Sequence, residues 1–388
     1  MRVLEAHISA PDDRFTRLSA TVEYANGEHD VYWFDVPVAL PPSRSGNPWL
    51  ACLLPLAATL HEDLEIPFPV DPDLLENATG LLRLWQSWYP HVGHVSVFAE
   101  AGTIPDAGAD AMSFFSAGVD SFFTAVRRPV QAFVNVLGFD MPLSNEAAFI
   151  AHGERLTVIA DELGADLISV RTNIRQTRWR ECHWELLGFG AALAAVGLLL
   201  ERRFATVYIP SSVDFGNLFA WGSHPLSDPL FSTSTTRLIH DGSSATRVEK
   251  IVAIAERPLV QRTLHVCFRG RDGEGQDDTN CCQCEKCFRT MAVLDTMGVL
   301  EQFKLFDHSR FNCDALSRAL LDTRADRVFY QEIRDYASKH GRADIVVAID
   351  RAIRRTSQLE HWRFLQKAPG LWRIANALER RARASSLR

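Results

Sequence analysis

Two stretches of this chain concentrate residues able to do chemistry. Five of its eight cysteines, Cys267, Cys281, Cys282, Cys284 and Cys287, fall within 21 residues, while Cys52, Cys182 and Cys313 stand apart. Cys281-x2-Cys284-x2-Cys287 sets three thiolates close together, and Cys267 ends a short apolar run, Leu264 to Val266. Four thiolates satisfy a tetrahedral Zn²⁺ at about 2.3 Å each. Cys267, Cys281, Cys284 and Cys287 are therefore the expected zinc ligands, with Cys282 competing with Cys281 for one position. An iron–sulfur cluster, or a redox or sulfur-carrying Cys282, is the competing chemistry. The second stretch is Ser116-Ala117-Gly118-Val119-Asp120-Ser121, lying between the apolar run Ala111–Phe115 and the helical pattern Phe122–Arg128. Small residues at a strand-to-helix turn let backbone amides approach an anion, and Ser116 and Ser121 add hydroxyl donors. Asp120 belongs beside phosphates only if a Mg²⁺ ion or a turn bond uses it. An ordinary tight turn would have the same composition.

The elements that must carry these loops follow from periodicity. From Ala111 onward, short apolar runs at 111–115, 131–137, 166–171, 205–210 and 263–268 alternate with helical stretches near 119–128, 145–163, 183–202 and 244–256. That alternation predicts an α/β fold, a parallel sheet with helices on both faces and ligands at the carboxyl ends of its strands. Residues 1–105 predict a small α+β accessory unit. Its strands Leu18–Tyr24 and His29–Val36 flank an Asn26-Gly27 hairpin turn, and helices follow near 49–62 and 72–88. Residues 106–300 are the expected catalytic domain and 301–388 a helical region. Gly270 to Asn280 reads as a solvent-facing loop, and the Arg-rich tail Leu371–Arg388 as a solvated helix face or a phosphate-contacting tail.

Further candidates lie at strand ends. Asp214, after Ser211-Ser212-Val213, and Asp228 are expected magnesium or substrate contacts, with turn capping as the plainer role. His224 is a candidate donor to a substrate oxygen. Arg171, Arg175, Arg178 and Arg180 either steer a triphosphate or form a solvated basic loop.

Ser116 to Ser121 resembles the S-G-G-x-D-S pyrophosphate loop of the PP-loop (N-type) ATP pyrophosphatases, with Ala117 where the first glycine usually stands. A PP-loop followed by C…C-x2-C-x2-C resembles the 7-cyano-7-deazaguanine synthase family in particular. Arg247-Val248-Glu249-Lys250-Ile251-Val252 is similar to that family's K-A-E-I-V helix, with Arg247 at the lysine position. The resemblance spans roughly 111–297. It implies ATP and Mg²⁺ as cofactors beside Zn²⁺, with Ser116, Ala117, Gly118, Val119, Asp120 and Ser121 at the pyrophosphate and Val136, Leu137 and Gly138 at the adenine. The activity implied is ligation: a carboxylate, 7-carboxy-7-deazaguanine or a related small-molecule or protein group, is adenylated with release of pyrophosphate and then attacked by ammonia or an amine. Asp120, Ser121, Asp214 and Asp228 would be the catalytic set. The family's Y-P-D-C-R stretch is replaced by Trp221–Pro229, and the extra terminal regions resemble enlarged relatives in antiphage defence operons, which implies operon-encoded protein partners. The alternatives are a tRNA sulfurtransferase relying on Cys282 or Cys182, and a nucleotide-binding subunit without turnover.

Composition narrows the classes. At 388 residues, 47% hydrophobic and 23% charged, the chain has the make-up of a globular protein. Its net charge of -7 argues against nucleic acid as a general partner, leaving tRNA only to the sulfur-transfer reading. The longest uncharged apolar run, Leu186–Leu200, is 15 residues, too short for a membrane span of about 20 and better suited to a core helix. The first residues lack an apolar signal core, so a cytoplasmic location with no membrane partner is expected.

Overall fold

The computed structural model describes residues 1–104, 106–267 and 279–366. The expectations for the loop from Gly270 to residue 278 and for the tail Leu371–Arg388 lie outside them. Ten described strands form one sheet: β1 (Arg2–Ser9), β2 (Phe15–Glu23), β3 (His29–Pro37), β4 (Leu64–Glu65), β5 (Val97–Phe98), β6 (Asp110–Phe114), β7 (Ala132–Leu137), β8 (Asp166–Thr172), β9 (Phe204–Pro210) and β10 (Arg237–Asp241). Their order is β10-β9-β6-β7-β8-β3-β2-β1-β4-β5. The block β10-β9-β6-β7-β8 is entirely parallel, and helices cover it, as the alternating pattern requires. The chain runs outward from β6 through β7 to β8, then crosses back to place β9 on the other side of β6. That reversal opens a crevice at the carboxyl end of β6, where Ser116–Ser121 follows.

The first three strands do not form a sheet of their own. The hairpin turns at Asn26-Gly27, with Gly27 at φ 82°, and β3 joins β8 antiparallel through Phe34–Thr172 and Asp35–Arg171. Asn173 clamps the joint by donating from Nδ2 to the Val31 carbonyl and accepting from the Trp33 amide at Oδ1. The described part of that unit, residues 1–104, thus shares a sheet, and one continuous apolar core, with the parallel block. The apolar run Leu186–Leu200 is a core helix, as expected. A π-helical turn, Trp184–Gly188, leads into Phe189–Leu199, which packs against the buried helix Asn47–Leu60. Among the described residues no helix is long and apolar enough to cross a membrane.

One strand expectation fails. Of the expected run 263–268, the described residues 263–267 do not join the sheet: helix Pro258–Thr263 ends there and the chain continues outside any strand, with the Val266 and Cys267 amides both donating to Asn280 Oδ1. The run is apolar because Leu264 and Cys267 are buried in the second core, beneath helix Glu285–Thr296. The fifth parallel strand is the polar segment β10.

Candidate functional site

Cys267, Cys281, Cys284 and Cys287 converge, their sulfurs all within 4.8 Å of one another. Neighbouring Sγ–Sγ separations are 3.7 Å (Cys267–Cys284), 3.8 Å (Cys281–Cys287) and 3.5 Å (Cys284–Cys287). Four sulfurs at about 2.3 Å from a central zinc lie about 3.8 Å apart, so the group has the size of a tetrahedral metal site. Cys281 belongs to it and Cys282 does not. At φ 54° the Cys282 thiol lies outside the four, donating to the Asn280 carbonyl and accepting from the Asp307 amide, both at 3.2 Å. The four-cysteine group lies against the Ser116 loop, because His265, two residues before Cys267, donates its amide to the Ala117 carbonyl.

That loop leaves β6, crosses Ala117 at φ 57° and enters helix Val119–Ala125. A left-handed alanine costs about 1–2 kcal/mol, which Gly at the same position would avoid. The Ala117 methyl is buried in the core. Ser121 closes the loop internally, its hydroxyl donating to the Gly118 carbonyl and accepting from the Ser116 amide.

Ser116, Gly118, Val119, Asp120 and Ser121 line a cleft of about 390 Å³ at the carboxyl ends of β6, β7 and β9. Its volume is that of a small-molecule site. One wall is aromatic, with Phe139, Trp184, Phe189 and Trp221, and its floor carries Arg247, Lys286 and Arg289. Asp120 Oδ2 lies 2.8 Å from Arg247, and Lys250, just behind, reaches Asp120 Oδ1 at 3.3 Å and the Ser211 carbonyl at 2.6 Å. Burial raises the Asp120 pKa, but Arg247, Lys250 and Arg289 together outweigh it and hold the carboxyl below its ordinary value. Burial pulls Lys250 and Arg247 down, opposed by Asp120. Arg247 and Arg289 stack on the same ring, Phe329, at 4.7 and 4.6 Å. Two residues lining the cleft, Asn135 and Arg247, each carry a buried donor, Nδ2 and Nε, with no hydrogen-bond partner among the described residues. Unsatisfied buried donors are costly, so such a pair points to a ligand rich in acceptors.

The other sequence candidates are distributed differently. Of Val136, Leu137 and Gly138, Val136 lines the cleft, Leu137 packs into a small core with Met141 and Phe149, and Gly138 spends its amide on the Met141 carbonyl. Asp214 caps the 3₁₀ turn Phe215–Asn217, accepting from the Gly216 amide and the Asn217 side chain. Asp228 is fully buried and faces His240 rather than the cleft. Arg171 pairs with Asp12, Asp35 and Glu146, Arg178 with Glu181, and Arg175 with the Phe139 carbonyl, so the basic run after β8 does not supply the cleft's cations. Those come from helices Arg247–Ala255 and Glu285–Thr296, one of them embedded in the cysteine motif itself. The Cys182 thiol is buried and pushed up to about 12 by that burial. Comparison with protein-family models, with curated proteins and with solved structures returned no match.

Proposed function

We propose that the protein is a PP-loop ATP-dependent ligase that adenylates a carboxylate, releases pyrophosphate and passes the acyl group to a nitrogen nucleophile. The observation that carries this reading is the pairing, in one cleft, of the Ser116–Ser121 loop with Arg247, Lys286 and Arg289 and with two buried donors that have no partner among the described residues. The loop and cations suit a triphosphate whose charge must be neutralised as pyrophosphate departs. The aromatic wall suits a flat heterocycle such as 7-carboxy-7-deazaguanine, held by stacking. Asp120 is the residue that would share a Mg²⁺ ion with the phosphates, and the four cysteines would hold a structural Zn²⁺ that secures the loop through His265. Trp221, from the stretch that replaces the family's substrate motif, contributes to the aromatic wall, and that replacement favours a substrate different from, though related to, 7-carboxy-7-deazaguanine.

The test is acid-dependent exchange of labelled pyrophosphate into ATP. Exchange that requires 7-carboxy-7-deazaguanine supports adenylation. Tight ATP binding with no exchange in the presence of that acid would defeat the ligase reading and favour a nucleotide-binding subunit.

A further inference from the structure

A small chamber opens beside the cleft, sharing Phe189, Pro210, Ser212 and Trp221 with it. Its volume is about 20 Å³, room for one molecule the size of water or ammonia. Two histidines on its wall are held in opposite tautomers. His224 Nδ1 accepts the Leu226 amide at 3.1 Å, so its ring proton sits on Nε2, and burial together with His240 keeps its pKa below the ordinary value. His240 is the reverse. Its Nδ1 lies 2.7 Å from Asp228 Oδ2, and Asp228 also accepts from the Ser223 hydroxyl (2.5 Å), the His224 amide (3.1 Å) and the Ser227 hydroxyl (3.2 Å). A carboxylate ringed by donors accepts from Nδ1–H and leaves the imidazole lone pair on Nε2. The His240 side chain is 4% exposed, and among the described residues its Nε2 makes no hydrogen bond. The chamber therefore presents one fixed donor and one fixed base at the edge of the proposed acyl-adenylate cleft.

Resting on the ligase reading above, we infer that this chamber holds ammonia as the nucleophile, with His240 as its general base and Asp228 as the residue that positions the ring. Ammonia attacks the acyl carbon of the adenylate, forming the C–N bond as Nε2 takes a proton from the nitrogen. The C–O bond to AMP breaks, its electron pair leaving on the AMP phosphate. The products are the carboxamide, AMP and an imidazolium that returns its proton to solvent. Nothing is oxidised or reduced.

The half-reactions separate this assignment from the reading beneath it. Wild type and His240→Asn would be given ATP, Mg²⁺ and 7-carboxy-7-deazaguanine, with pyrophosphate exchange and ammonium-dependent amide formation measured in parallel. Asparagine can keep the bond to Asp228 but has no atom at Nε2. The expected result is exchange within about twofold of wild type and amide formation reduced about 100-fold or more, the usual contribution of a general base. His240→Ala should show the same loss, partly restored by added imidazole. Amide formation at the wild-type rate in both variants, or equal loss of exchange and amidation without imidazole rescue, would overturn the role of His240. If wild type itself shows no exchange, the ligase reading fails and this assignment fails with it.

Discussion

Asp120→Asn removes one negative charge from a position where two cations depend on it while preserving the side chain's shape. Arg247 lies 2.8 Å and Lys250 3.3 Å from the carboxylate. The Arg247 and Lys250 side chains are only 7% and 1% exposed. Removing one partner of a buried ion pair costs about 3–5 kcal/mol, because the remaining charge stays desolvated. The Asp120 side chain is 18% exposed toward the cleft, so solvent screening moves the expectation to about 2–3 kcal/mol. The assay is urea denaturation of metal-loaded wild type and variant in phosphate-free buffer, compared at equal m-values. Pyrophosphate added to both without Mg²⁺ should then stabilise the variant more than wild type, since an anion supplies the charge that Asp120 no longer does. Burial raises the Asp120 pKa and the three cations lower it further than burial raises it. Its stabilisation is therefore complete above the ordinary value of 3.8 and lost as pH falls through the lower folded value, so the gap between the two proteins should close in strong acid. A variant within about 0.5 kcal/mol of wild type, with the same response to pyrophosphate, would show that the charge accounting in this cleft is wrong.

Three further outcomes follow from the same geometry. After loading with Zn²⁺, Cys281→Ser should retain little metal and Cys282→Ser about one equivalent by plasma mass spectrometry, because only the first thiol joins the four-cysteine group. Glu332, on helix Arg324–Lys339, accepts the Arg247 amide, and burial together with Asp214 pushes its pKa up to about 7. An acid raised in the folded state makes folding less favourable as pH climbs from about 4.5 to about 7, so Glu332→Gln should flatten that slope, worth on the order of 1–2 kcal/mol, in denaturation curves. Gly138→Ala should destabilise by more than about 2 kcal/mol in the same experiment. The position has φ 100°, and a Cβ there would lie 1.9 Å from the Thr172 carbonyl oxygen.

Local patterns carried the elements that position the site. The β6 strand, the turn after it, the Asn26-Gly27 hairpin and the Leu186–Leu200 core helix all announce themselves through short-range periodicity or turn chemistry. The cysteine spacing likewise foretold the cluster, although choosing Cys281 over Cys282 needed the backbone, whose left-handed turn at Cys282 directs that sulfur to Asn280 and Asp307. What stayed hidden depends on distant residues meeting. Arg-Leu-Ile-His-Asp has too few apolar residues to read as a strand, yet β10 pairs along its length with β9 because it occupies the sheet edge. Leu264 to Val266 has the apolarity of a strand but spends it on core packing. The cleft's cations sit on helices more than 120 residues beyond the loop they serve, and nothing in Arg289 or Lys286 alone distinguishes them from surface charges. His240 carries no motif; its role arises from Asp228, which only the fold brings to its Nδ1.

The central claim, adenylation in this cleft, is tested most directly by product analysis. The zinc-loaded protein would be incubated with ATP, Mg²⁺, ammonium and 7-carboxy-7-deazaguanine, and the nucleotides and base resolved by mass spectrometry. AMP and pyrophosphate are expected in step with an amide or nitrile of the base, and neither product from Asp120→Asn. ADP as the nucleotide product, or intact ATP in the presence of this acid, would contradict it.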